Sequence, residues 1–122
     1  MSKAFVRACE AARLKKPVRD DENVPTIRPR SKKKPWMLVP WGRKTAALIV
    51  MGSSGKMVGS VVRRFKEHIP QKDVTYQLGD WEAVIVFPLE VIPQVGEHFN
   101  LLKRRITDKQ AAVLLSGRKK LA

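Results

Sequence analysis

The sequence predicts an α+β fold, and three observations carry that prediction. An apolar stripe at helical spacing runs through residues 56–68, two strand-like segments flank Gly79-Asp80, and a capped apolar stretch occupies residues 108–116. The expected architecture is a small single domain with a β-hairpin, a central amphipathic helix and a C-terminal helix, preceded by a disordered basic arm. Its parts divide into an arm over 1–35, a compact domain over 36–116 and a basic tail over 117–122. With 122 residues and 43% apolar content, the chain can bury one core.

The central helix is the best-determined element. Met57, Val58, Val61, Val62, Phe65 and Ile69 recur at three- and four-residue spacing, while Arg63, Arg64, Lys66 and Glu67 fall on the other side. Ser53 or Ser54 can cap its start, and Pro70 stops it. Alternation in Val74–Leu78, β-branched enrichment in Trp81–Phe87 and the short Gly79-Asp80 link then read as a hairpin. Pro88 ends the second strand, and Leu89–Ile92 is expected to form a further short strand closed by Pro93. Farther on, Thr107 and Gln110 fit a capping box and Gly117 a helix stop, so a helix is expected over 108–116, with Ala111, Ala112, Leu114 and Leu115 inward.

Residues 17–40 hold five prolines, few apolar side chains and the run Lys32-Lys33-Lys34. Burial cannot offset the ordering entropy of such a stretch, so residues 17–35 read as an extended or disordered arm. Upstream, Phe5, Val6, Ala8, Ala12 and Leu14 interleave with Lys3, Arg7, Arg13, Lys15 and Lys16, the pattern of an organelle transit peptide. Glu10 and the cluster Asp20-Asp21-Glu22 favour a basic arm or short terminal helix instead. The single cysteine, Cys9, excludes an intrachain disulfide and a thiolate metal pair. No apolar run approaches the length of a membrane span, so the chain reads as soluble and intracellular, in the cytoplasm or with the nucleoid or nucleus.

Charge gives the main functional clue. The 25 Lys and Arg against 11 Asp and Glu give a net charge of +14, and the excess sits at the ends. Residues 1–45 carry +9, residues 46–100 carry −1 and residues 101–122 carry +6. Such a charge opposes compaction and suits a polyanion partner.

Several motifs bear on that partner. Gly52-Ser53-Ser54-Gly55 is followed by Lys56-Met57, so it lacks the spacing of a Walker loop, and Gly52, Gly55 and Gly59 do not match the dinucleotide fingerprint. The segment Ile49–Met57, with the following helix and the strands from Val74 and Trp81, resembles the KH family of nucleic-acid-binding domains. In that family a GXXG loop between two helices clamps a single strand. The resemblance covers some 40 residues and implies a helix over Lys44–Met51, a segment that reads as well as a strand; it departs from the family in placing Ser between the glycines. The glycines otherwise read as a strand-to-helix turn that permits close packing. Ile106–Leu115 resembles the opening helix of a helix-turn-helix unit, but only five residues follow Gly117, too few for a recognition helix.

Trp36 and Trp41 stand among Lys32, Lys33, Lys34, Arg43 and Lys44, a pattern in which bases stack on rings while cations follow phosphates. The alternative is that the tryptophans anchor the start of the domain. Together with Lys56, Arg63 and Arg64 on the helix and Lys103, Arg104, Arg105, Arg118, Lys119 and Lys120 near the end, these residues form the expected binding set. The expected function is non-catalytic binding of DNA or RNA, without cofactor or metal and without a membrane. A homodimer or ribonucleoprotein partners are compatible with it. Three alternatives stand beside it: a ribonucleoprotein component such as a ribosomal protein, an adaptor for an acidic protein, and a small metal-independent nuclease. The last would have to draw on His68 and His98, which nothing in the sequence brings together.

Overall fold

Period-two burial builds the main sheet. In the computed structural model, which describes residues 3–19, 21–29 and 34–103, four strands run antiparallel: β3 (Trp36–Pro40), β4 (Thr45–Met51), β5 (Thr75–Leu78) and β6 (Glu82–Pro88), in the order β3-β4-β6-β5. The ladders pair Leu38 with Leu48, Leu48 with Ile85 and Ile85 with Tyr76. Ala46, Leu48, Val50, Ala83, Ile85 and Phe87 therefore share one face, and all six enter the core. The expected hairpin is present, with the Gly79 amide donating to the Glu82 carbonyl at 2.8 Å. A second, two-stranded sheet joins β1 (Val18–Arg19) to β2 (Pro25–Thr26).

The inner face is covered by helices. The central helix α2 (Gly55–His68) turns Val58, Val61, Val62 and Phe65 inward, each worth about 1.5–3 kcal/mol of burial. The Ser54 hydroxyl accepts from the Met57 amide at 3.2 Å and caps the helix, as its sequence implies. Phe65 is the hub, with ring centroids 5.5 Å from Phe87 and 5.8 Å from Phe99. The fold class is thus the mixed α+β single domain expected.

The described residues 3–19 and 21–29 differ from the expected disordered arm. Helix α1 (Lys3–Ala11) buries Phe5 and Cys9, and Leu14 and Ile27 also enter the core, each 1% exposed. Ile27 and Leu38 exchange both backbone hydrogen bonds at 2.8–2.9 Å, so residues 25–29 run beside β3. Charge and proline content concealed this, because four well-placed apolar residues, Phe5, Cys9, Leu14 and Ile27, suffice to dock a segment that is polar on average. The short terminal helix weighed for residues 1–16 is the form observed.

Two further expectations are corrected. Residues Leu89–Val91 form a 3-10 turn that leads into α3 (Ile92–His98), not a strand; Pro93 sits in the first turn of that helix, where its missing amide costs nothing. Residues 45–51 are β4 rather than the helix that a KH domain would place before its GXXG loop. The loop is the strand-to-helix turn: a Cβ on Gly52 would fall 2.9 Å from Val58 Cγ2. The helix expected over 108–116, with its helix-turn-helix resemblance, and the tail over 117–122 lie outside the described residues.

Helices α1 and α3 end alike, and their exits meet. Leu14 N–H donates to Cys9 O at 3.0 Å across Arg13 (φ 60°), and Leu101 N–H donates to Gly96 O at 3.0 Å across Asn100 (φ 59°). The two exits then pair with each other, Lys15 N–H to Leu101 O and Lys103 N–H to Arg13 O, both at 2.9 Å. This short antiparallel bridge fastens residues 13–15 to residues 101–103.

Candidate nucleic-acid interface

The side of α2 turned away from the core is cationic. Lys56, Arg63, Arg64 and Lys66 are all exposed there, against Glu67 as the acidic residue. At 1.5 Å rise per residue they span roughly 15 Å of the helix. Two of them are held against aromatic faces: the Arg64 guanidinium lies 5.5 Å from the Phe99 ring centroid, and Lys66 Nζ lies 4.9 Å from that of Tyr76. The ring contacts restrict where these heads sit, while both side chains remain exposed. Lys66 was absent from the expected set, although its position in the same stripe was already legible.

The tryptophans divide. Trp36 is 6% exposed, packs edge-on against Phe99 at 5.4 Å and donates its indole N–H to the Phe99 carbonyl at 2.8 Å. It anchors the domain, and its ring faces are not open to a base. Trp41 is 51% exposed and stands at the β3–β4 tip together with exposed Arg43 and Lys44. The anchoring reading given to the pair holds for Trp36.

Lys34 is exposed, with Nζ 5.7 Å from the Trp36 ring centroid, and it lines a cleft of about 380 Å³. Arg28, Pro29, Pro35, Trp36, Met37 and Met51 complete the lining. Arg28 joins Lys34 only because residues 25–29 dock beside β3, which no local pattern announced. A wider cleft of about 790 Å³, lined by Met51, Gly52, Asp80, Trp81 and Glu82, holds two acids and suits no anion. Lys103 is exposed at the bridge between the helix exits. Lys32, Lys33, Arg104, Arg105, Arg118, Lys119 and Lys120 lie outside the described residues.

The fold also joins His68 and His98, the last residues of α2 and α3. Their rings stack with centroids 4.7 Å apart and planes 14° apart. Among the described residues no group of three or more His, Cys, Asp and Glu could hold a metal ion, and no helix is long and apolar enough to cross a membrane. Burial of Cys9, with a smaller contribution from Glu10, pushes its thiol up to about 12, far from the reactive thiolate range.

Compared with family models, curated proteins and solved structures, the chain matches none.

Proposed function

We propose that this chain is a non-catalytic nucleic-acid-binding protein whose affinity comes mainly from contacts to phosphates. The observation that carries the reading is the cationic outer side of α2, where four exposed basic residues lie on one rigid element with two of their heads positioned by aromatic rings. A helix so charged gains little in stability from its cations, and a row of phosphates is the partner that would neutralise them together. The +9 and +6 charges of the two end segments add the same attraction.

Competition among equal lengths of single-stranded RNA, single-stranded DNA and duplex DNA, at 50 and 200 mM salt, tests the reading. Six to ten phosphate contacts predict a loss of affinity of roughly 10³–10⁵ between those concentrations. Complexes that survive both nuclease and high salt would favour an acidic protein partner instead.

A further inference from the structure

Two clefts of opposite character meet at Met51. Among the described residues, the cleft of about 380 Å³ is lined by Arg28 and Lys34 and by no acid, and the cleft of about 790 Å³ by Asp80 and Glu82 and by no cation. Met51 lines both and is 55% exposed. The strand order β3-β4-β6 explains the juxtaposition. At the end of β4 the Met51 amide donates to the Pro35 carbonyl on one side at 2.8 Å, and the Gly52 amide to the Trp81 carbonyl on the other at 3.0 Å. Pro35 and Trp81 thus flank β4, about 10 Å apart at the usual strand spacing.

A nucleotide has the polarity these clefts require, over that reach. Its phosphate is the anionic end, and its base carries hydrogen-bond donors and a face to stack. Trp81 offers the matching ring, since it is 66% exposed and lines the acidic cleft beside both carboxylates. Ionised carboxylates only accept hydrogen bonds, so the base they select must present donors side by side. On its Watson–Crick edge guanine does so, with N1–H and the exocyclic amino group; adenine, cytosine and uracil each set an acceptor beside their donor. That edge is occupied in a duplex, so only a single strand offers it.

We propose that the joined clefts bind one guanine nucleotide of a single-stranded nucleic acid. Its phosphate lies between Arg28 and Lys34, its sugar over Met51, and its base on Trp81 with the donors directed at Asp80 and Glu82. The assignment rests on the nucleic-acid reading given above and adds base selection to it. The adjoining phosphate has a partner of its own. Helix α2 begins at the acidic cleft, where a Cβ on Gly55 would stand 3.1 Å from the Asp80 carbonyl, and exposed Lys56 follows in the same turn. Cations on both sides therefore offset the repulsion of the two acids for the strand.

Fluorescence anisotropy at 50 mM salt with labelled uridine heptamers, carrying guanosine, inosine or adenosine at the centre, tests the assignment. The guanosine heptamer is expected to bind about tenfold tighter than the adenosine one, with inosine, which lacks the amino group, between them. Trp81→Ala is expected to weaken guanosine binding about tenfold. Arg28→Ala/Lys34→Ala is expected to weaken all three and to make the salt slope shallower by about 1.4, at roughly 0.7 per contact. D80N/E82Q removes two negative charges, so electrostatics alone would tighten every complex equally; the expected result is loss of the guanosine preference. Equal wild-type affinity for the guanosine and adenosine heptamers, or a preference that D80N/E82Q retains, overturns the proposal and leaves the phosphate reading of α2 standing. Binding of none of the heptamers overturns both.

Discussion

Gly96 and Leu14 occupy the same space in turn: a Cβ placed on Gly96 would overlap the Leu14 Cδ2 methyl and stand 3.3 Å from that of Leu102. Leu14 is 1% exposed and cannot swing away. Gly96→Ala is therefore expected to destabilise the protein by about 1–3 kcal/mol, seen as a lower urea midpoint at an unchanged slope. The same substitution at Gly59, where a Cβ meets nothing within 4 Å, is expected to stabilise by about 0.5–1 kcal/mol.

Arg13 holds the left-handed conformation that ends α1, with φ at 60°. Its backbone makes the needed bonds, but its Cβ is strained there. Arg13→Gly is expected to raise stability by up to about 1 kcal/mol, measured by urea unfolding. A loss would show that the arginine side chain contributes more than its backbone strain costs.

The Trp36 indole N–H donates to Phe99 O within the core. Trp36→Phe keeps most of the apolar area but leaves that carbonyl without its indole partner, so a loss of about 1–3 kcal/mol is expected. If Trp36 served mainly to stack on bases, the variant would keep its stability and lose affinity instead.

How far the sequence could be read follows from these residues. Helix α2, its Ser54 cap and the Gly79 hairpin declared themselves because each is governed by local spacing and turn chemistry. The docking of α1 and of Ile27 did not, since it depends on Leu38, Gly96 and Leu101, which are distant in the chain. Leu89–Val91 reads as a strand in isolation and is turned into helix by Pro93 at the start of α3. For the candidate site, Lys56, Arg63 and Arg64 were visible as a helix stripe. The meeting of Arg28 with Lys34, and that of His68 with His98, required the tertiary fold.

Cys9 gives a pH dependence with a defined sign. Its thiol is pushed up from 9.0 to about 12 in the folded state, mainly by burial, so the folded protein keeps a proton that the unfolded chain releases. That contribution is fully present below pH 9 and is lost as pH rises through the folded value. Wild type should lose stability relative to Cys9→Ala by about 1.4 kcal/mol per pH unit at most between those limits, and thiol reagents should modify Cys9 only on unfolding. Prompt labelling of the native protein at pH 8 would contradict the burial assigned to it.

The central claim is that exposed cations on α2 hold phosphates. It is tested most directly by the slope of log affinity against log salt for a fixed single-stranded RNA, comparing wild type with Lys56→Ala/Arg63→Ala/Arg64→Ala/Lys66→Ala. If all four residues meet phosphates, the slope becomes shallower by about 3, at roughly 0.7 per contact. An unchanged slope in a folded variant would contradict the account.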